Sequence, residues 1–360
     1  MSANETPPRA PADFEKVAIG AQATVATFKE ETPSLLKRIQ HLLHVHPTAI
    51  PALVLVLSVA VFAMAGGQRF LTAFNLSVVL QQVTIIAVIG IAQTIVVLTA
   101  GIDLSVGAIA VLASMVMGKL AVTAGVPTPI AILIGVAVGA ACGAVNGILV
   151  TRFRLPPFIV TLGTWYMVFA LNLWYSDSET IRSQDIGETA PLLQFFATAI
   201  PIGDARLTYG SIAMVIAIAL FWYLLSMTAW GRHVHAVGDD PEAARLAGIR
   251  VERVLMSVYI VAGIVCAFAA WMMISRYGSA SPQSGQTSNL DSITAVVIGG
   301  TSLFGGRGSI VGTLLGALIV GVFRNGLALS GVNVLWQDFA VGALIIVAVA
   351  LDQWLRRVSQ

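Results

Sequence analysis

Charged side chains are scarce in this chain. Asp, Glu, Lys and Arg make up only 11% of its 360 residues, whereas a soluble domain holds about 25%. Hydrophobic residues make up 57%, and the mean hydropathy is +0.86. The formal net charge of +2 gives no indication of binding to nucleic acid. The composition therefore excludes an ordinary soluble domain and predicts an all-α polytopic protein surrounded by membrane lipid.

Groups that would mark a catalytic or metal site are also lacking. The two cysteines lie inside separate apolar runs, so we expect them to be packing residues. No motif pairs a hydroxyl with a base, and two His-x-His pairs have no Cys or acid ligands near them in a known spacing. We therefore expect no catalytic residue, no metal and no cofactor. The residues concerned are Cys142, Cys266, His44, His46, His233 and His235.

Two further absences concern the energy source. The sequence holds no G-x-x-x-x-G-K-[ST] motif, so we expect the chain not to bind ATP through a P-loop. The run Gly305-Gly306-Arg307-Gly308 instead predicts a tight turn. The apolar runs also lack the series of buried acids and bases that is typical of a proton-driven carrier. A pump built on this chain would take its energy from another subunit.

Long apolar runs dominate what the sequence does contain. A spanning helix needs about 20 apolar residues. The eighth run is short and rich in glycine, which is typical of a helix that is broken or does not cross fully. We predict ten spans, at Pro47–Gly66, Ser77–Ala100, Ser105–Val122, Thr128–Val150, Phe158–Tyr175, Gly210–Thr228, Leu255–Ser275, Ser292–Phe304, Ser309–Leu329 and Leu335–Leu355.

Arginine and lysine indicate the orientation. They are more frequent in the segments on the N-terminal side of the membrane, which favours a cytoplasmic N terminus, and the even number of spans places both termini inside. Residues 1–46 form a cytoplasmic tail, in which Leu35, Leu36, Ile39, Leu42 and Leu43 predict an interfacial helix. Residues 47–355 form the transmembrane domain, with a cytoplasmic segment at 229–254, and residues 356–360 are a cytoplasmic C terminus.

Glycines recur at helical spacing in two spans. Gly135, Gly139, Gly143 and Gly147 lie four residues apart, as do Gly308, Gly312 and Gly316. Such ridges let helix backbones approach closely in lipid. An Asn-Gly pair recurs as well, at Asn146 in the fourth span and Asn325 in the ninth. Because these spans run in opposite directions, the pattern fits an inverted repeat of two five-helix halves.

A polar island from Trp230 to Arg253 separates two long apolar runs. Asp240 can cap a helix, Pro241 suits its first position, and Gly248 can end it in a left-handed turn. We predict about two helical turns there at the membrane surface. A short, capped helix with small side chains is suited to a partner's groove.

Uncharged polar side chains in the early spans predict a route for a neutral polar solute. For each amide the alternative is an interhelical hydrogen bond. Asp103 could bond a folded-back loop or a solute hydroxyl, but it also precedes the third span and could cap that helix. The candidate path residues are Gln81, Gln82, Gln93, Asp103, Asn146, Thr161 and Asn172.

Four ordered stretches resemble the ribose/xylose/fructose-type ABC sugar import permeases. They are Leu98–Gly107, Pro156–Thr164, Gly231–Ile249 and Val296–Ser309, and with the apolar runs around them they cover roughly Leu55 to Leu351. The overall pattern is nearest to the fructose import permeases.

The resemblance implies partners that the chain itself does not encode. They are an ABC ATPase subunit, a periplasmic sugar-binding protein and a second permease copy, which together move a monosaccharide across the inner membrane. It assigns ATPase docking to Gly238, Asp239, Ala243, Ala244, Gly248 and Ile249, on the segment where Asp240 is the expected cap. The alternatives are a stand-alone secondary sugar carrier or facilitator and an intramembrane enzyme.

Overall fold

The computed structural model describes residues 48–285 and 287–358. The predicted interfacial helix and the rest of the tail at 1–46 lie outside these residues. In the first part of the chain the helices are α1 Ala49–Gly66, α2 Ala73–Leu98, α3 Val106–Gly118, α4 Thr128–Thr151, α5 Pro157–Ser176 and α6 Ser183–Thr189. A short hairpin of β1 Ala199–Ile202 and β2 Ala205–Thr208 follows. The remaining helices are α7 Tyr209–Met227, α8 Ala229–Asp239, α9 Pro241–Leu246, α10 Val251–Tyr277, α11 Ser288–Ile298, α12 Ile310–Leu329 and α13 Val334–Val358.

The all-α membrane fold is confirmed, and each predicted apolar run contains a helix. Among residues 48–285 and 287–358, seven helices are long and apolar enough to cross a membrane, and α3 reaches that length through a π-helical turn at Lys119–Thr123. The apolar stretches of α1, α11 and α13 are shorter. Seven of the ten predicted spans therefore coincide with helices long enough to cross, and the other three coincide with shorter apolar helices, so the total of ten stays a prediction.

The eighth predicted span, Ser292–Phe304, has the wrong boundaries. Helix α11 begins at Ser288 and ends at Ile298, so its 11 residues reach only about half of a hydrocarbon core. Gly299 and Gly300 then turn the chain, with Gly300 at φ +84°. The expectation of a short or broken helix is confirmed, and the glycines that were read as helix form the following turn.

Glycine ridges set the closest helix contacts. A Cβ added at Gly139 would lie 2.4 Å from Gly263 O, and one at Gly143 would lie 2.2 Å from Tyr259 O, so the ridge of α4 packs directly on the backbone of α10. Likewise a Cβ at Gly316 would lie 1.9 Å from Ala295 O of α11. These contacts bear out the predicted close approach.

Helix pairing follows a matching pattern in the two halves. Helix α4 packs along α10 and α12 packs along α2, while α3 contacts both α4 and α10 and α11 contacts both α12 and α2. The fourth span of each half thus lies on the second span of the other. This is the pairing that an inverted repeat predicts, and the repeat itself stays a prediction.

Candidate functional site

The polar island folds into two short helices rather than one. Helix α8 begins after Thr228, whose hydroxyl accepts from Gly231 N at 3.3 Å. Helix α9 begins at the expected cap, where Asp240 Oδ1 accepts from Glu242 N at 2.9 Å and from Ala243 N at 3.0 Å. Gly248 follows at φ +84°. The predicted cap and left-handed end are confirmed, and sequence reasoning missed α8. We call residues 229–254 the coupling segment.

One face of the coupling segment is packed and the other is exposed. Val234 is fully buried and Ala244 is 4% exposed, whereas Leu246 is 91% exposed. Ala243 and Gly248 are exposed as well, while Ile249 is half-buried. Arg245 pairs with Glu242 at 2.5 Å and with Glu252 at 2.8 Å, which ties α9 to the start of α10. The exposed Leu246, with the exposed small residues Ala243 and Gly248 on the same short segment, offers a surface that a partner's groove can cover.

The buried end of α8 reaches the loops that follow α2 and α11. Gly238 and Asp239, two of the predicted docking residues, lie here, and Gly238 is buried. A Cβ at Gly238 would lie 1.7 Å from Leu98 O, and one at Gly306 would lie 3.0 Å from Asp239 Cα. Gly238 therefore contacts the inside of the protein, and the outward surface belongs to Ala243, Leu246 and Gly248.

Three of the predicted path residues lie together around the loop between α2 and α3. Asp103, 2% exposed, accepts from Ser105 N at 2.7 Å and from Ser105 Oγ at 2.6 Å. Asn146 of α4 donates to Ser105 Oγ at 2.8 Å, and Thr161 of α5 donates to Ile102 O at 3.0 Å. Asp103 therefore organises the turn before α3, where Ser105 and not Asp103 is the residue that precedes the helix, and contact of Asp103 with a solute stays a prediction.

Gln93 differs from this group. It lies in α2 with no exposed surface, and neither Nε2 nor Oε1 has a hydrogen-bond partner among the described residues. Its neighbour Thr94 is satisfied, because Thr94 Oγ1 donates to Gly90 O and lies 2.6 Å from Thr313 Oγ1 of α12. A buried amide without partners costs free energy, so its retention calls for a water, a ligand or another conformation to pair it.

The other predicted path residues are separated from Gln93. Gln81 Oε1 accepts from Arg276 Nη1 at 2.9 Å at one end of α2, where a cleft is lined by Thr84, Phe196 and Ser275. Gln82 follows, with a buried Oε1 that has no partner in the described part of the chain. Asn172 of α5 donates to Pro282 O at 3.0 Å. The predicted residues therefore lie in separate places: Asp103, Asn146 and Thr161 at one loop, Gln81, Gln82 and Gln93 at different positions on α2, and Asn172 on α5.

Some polar contacts between distant helices, buried or partly exposed, were not predicted from the sequence. Asn75 of α2 and Asn325 of α12 exchange two amide hydrogen bonds of 2.9 Å. Arg324 of α12 pairs with Asp291 of α11 at 2.7 Å and with Asp338 of α13 at 3.0 Å. Their partners are far apart in sequence, and only the repeated Asn-Gly pair drew attention to Asn325.

Titratable groups in the described part of the chain do not gather into metal sites. No three of His, Cys, Asp and Glu lie close enough there to hold an ion. His235 Nδ1 lies 2.8 Å from Gly231 O within α8. Cys142 and Cys266 are free thiols inside α4 and α10.

The chain matches known proteins along most of its length. Residues 75–349 match the family described as branched-chain amino acid transport system permease component. The fructose import permease of Rhizobium meliloti is 54% identical over 96% of each chain. The ribose import permease of Bacillus subtilis is 41% identical over 79% of this chain and 86% of its own length. The D-allose transport system permease of Escherichia coli is 35% identical over 84% of this chain and 91% of its own length.

No solved structure matches the chain. The family match covers the coupling segment and the seven long helices except for Ala73 and Phe74 at the start of α2, so the match and the fold concern the same part of the molecule. The resemblance expected from the four stretches is confirmed. The chain belongs to this family of transport-system permease components, and the relatives named above are sugar import permeases.

Proposed function

We propose that the protein is the membrane-spanning permease of an ABC importer that carries a monosaccharide into the cell. The observation that carries the proposal is the 54% identity to a fructose import permease over 96% of both chains. Ribose and allose permeases follow at lower identity, which supports a monosaccharide and favours fructose. The chain supplies the path, and a partner subunit supplies ATP hydrolysis.

The functional assembly contains more than this chain. We propose two permease copies, an ABC ATPase and a periplasmic sugar-binding protein, in the inner membrane with both termini in the cytoplasm. In this orientation the coupling segment faces the ATPase, and the hairpin of β1 and β2 faces the periplasm. The exposed Leu246, Ala243 and Gly248 then form the surface that enters the ATPase groove.

Transport proceeds by alternating access. Closure of the ATPase subunits on ATP moves α9 as a rigid lever, and the helix bundle switches the side on which its central path opens. The Asp240 cap fixes the first turn of α9 itself, and the buried Ala244 together with the solvent-exposed Arg245–Glu252 ion pair links α9 to the rest of the protein. A lever of this kind needs a stiff attachment, because slack would absorb the motion.

The polar route follows α2. Gln93 is the residue that we place on the path, since its amide is buried and unpaired and can bond a sugar hydroxyl when the path opens. Gln81 and Gln82 lie further along the same helix. Asp103, Asn146 and Thr161 hold the inner loop, and Asn172 holds α5 to the loop at Pro282.

The docking role is tested by adding bulk at Gly248. Nothing lies within 4 Å of a Cβ at this glycine, so Gly248→Trp projects into solvent. We expect it to reduce co-purification of the ATPase and the ATPase activity that sugar stimulates. Gly203→Trp is the matched control, because Gly203 also has φ above zero and open space around it but lies in the hairpin. Equal behaviour of the two variants would contradict the docking role.

A further inference from the structure

We propose that a backbone junction, rather than side chains, carries the motion of the coupling segment to two inner loops at once, and that this junction stays closed throughout the transport cycle. The junction consists of Gly238 in α8, Leu98 at the end of α2 and Gly306 in the loop between α11 and α12. The inference rests on the proposed function and adds the route by which the lever acts.

The three backbones meet without intervening side chains. Gly306 N donates to Leu98 O at 3.0 Å, which joins the two loops. Gly238 lies on this hydrogen bond, since its added Cβ would be 1.7 Å from Leu98 O and 2.8 Å from Gly306 N. Even one methyl group at Gly238 would force α8 away from both loops.

The neighbouring residues close the junction further. A Cβ at Gly305 would lie 2.6 Å from Gly238 O and 2.8 Å from Ala100 N. Gly305 and Gly306 have φ of +84° and +70°, and Ala100 has φ +60°. Left-handed backbone at a non-glycine residue costs free energy, and it persists where the surrounding contacts require it. The close packing at Ala100 is such a contact.

Each loop is fastened to helices beyond the junction. The Leu98 loop is tied to α4 through Ser105 and Asn146 and to α5 through Ile102 and Thr161. The loop that holds Gly306 is tied to α12 by Gly299, whose added Cβ would lie 2.4 Å from Gly312 O. A displacement at the end of α8 is therefore passed to helices of both halves of the protein.

Close-packed backbone transmits displacement with little loss, because protein interiors have low compressibility. Side-chain contacts alone would leave rotamers free to absorb the motion. The junction also explains why two distant glycine-containing stretches, around Leu98–Gly107 and Val296–Ser309, accompany the coupling segment in the sequence: all three meet here.

The first test uses the complete complex in proteoliposomes. Gly238→Ala is expected to leave the ATPase bound and hydrolysing while sugar uptake per ATP falls by at least about fivefold, the lower end of ordinary coupling effects. Gly342→Ala in α13 is the control, since nothing lies within 4 Å of its Cβ. Unchanged uptake per ATP in Gly238→Ala would overturn the proposal.

The second test fixes the junction covalently. With the native cysteines replaced, Asp239→Cys and Gly306→Cys place two Cβ atoms about 3.1 Å apart, below the range of about 3.5–4.5 Å for disulfides, so the backbone at Gly306, which has φ +70°, must shift by a few tenths of an ångström. We expect oxidised and reduced forms to transport at equal rates. Arrest on oxidation, relieved by a reductant, would show that the junction opens during the cycle and would contradict the proposal.

The two tests separate this inference from the proposed function. If wild-type complex shows no ATP-dependent uptake, the proposed function fails. If it does show uptake and the tethered form is arrested, only the junction fails. If the Gly238→Ala variant does not assemble with the ATPase, the comparison of oxidised and reduced Asp239→Cys, Gly306→Cys complex tests the junction by itself.

Discussion

At the scale of single residues, two buried polar groups have opposite environments. Asp103 has its partners within the loop, at Ser105 N and Ser105 Oγ, and Gln93 has none among the described residues. A satisfied buried group stabilises one conformation, whereas an unsatisfied one costs free energy in that conformation. From this contrast we propose that Asp103 stabilises the loop between α2 and α3 and that Gln93 takes part in the transport cycle.

We predict that Gln93→Leu separates stability from transport. Removing the unpaired amide leaves thermal stability equal or raises it by about 1–3 kcal/mol, while sugar uptake falls by about tenfold, the loss of roughly one hydrogen bond to the solute. Thermal unfolding in detergent and uptake in proteoliposomes measure the two effects. Thr94→Val is the contrasting control, because it breaks the contacts to Gly90 and Thr313 and lowers stability. If Gln93→Leu takes up sugar as fast as the unsubstituted protein, Gln93 does not contact the solute on its path.

The sequence predicted helix caps and turns, which depend on neighbouring residues, but it did not predict hydrogen bonds between residues that are distant in the chain. The Asp240 cap and the Gly248 turn depend on residues within one helical turn, so they were predicted correctly. The hydrogen bond of Asn146 to Ser105 and the exchange between Asn75 and Asn325 depend on tertiary packing. A single sequence gives no such pairing.

At the scale of elements, hydrophobic length predicted the spanning helices, with ends within one residue for α4, α5, α7 and α12, whereas α2 and α10 begin four residues earlier than predicted. The long runs gave each spanning helix because a spanning segment must satisfy its backbone internally. Helix α8 was missed, since its glycines and histidines are weak helix formers. Packing against α7, α10 and α2 stabilises it nonetheless.

The glycine contact between α4 and α10 gives a prediction at this scale. Gly143→Ala would place a Cβ 2.2 Å from Tyr259 O, so the helices must separate. We expect a loss of about 1–3 kcal/mol, as is typical of overpacking, measured by thermal unfolding of the purified protein. Gly342→Ala, with open space around its Cβ, should change the free energy of unfolding by at most a few tenths of a kcal/mol. If Gly143→Ala is as stable as the unsubstituted protein, α4 and α10 can move apart without loss of stability, which contradicts the prediction.

At the scale of the whole molecule, the orientation that we propose from the distribution of Arg and Lys predicts which residues are accessible from outside the cell. With Cys142 and Cys266 replaced, Ala243→Cys on α9 should react with a membrane-impermeant thiol reagent only after the cells are opened. Asp204→Cys, exposed in the hairpin turn, should react in intact cells. Labelling of Ala243→Cys from outside would reverse the orientation and exclude docking to a cytoplasmic ATPase.

The sequence indicated a relation between the first five and the last five spans only through the repeated Asn-Gly pair, at Asn146 and Asn325. The structure adds that α4 lies on α10 and α12 lies on α2, so each half contributes to the packing of the other. Which helices pair depends on how glycine ridges and neighbouring surfaces fit in three dimensions, which periodicity along one chain does not contain.

The central claim is that this permease moves sugar only when an ATPase drives it. The most direct measurement is uptake of labelled fructose into proteoliposomes that hold the chain alone or the chain with its ATPase and its sugar-binding protein. We expect ATP-dependent uptake by the full complex and none by the chain alone. Saturable uptake by the chain alone, equal to that of the full complex and independent of ATP, would contradict the account and identify a stand-alone carrier.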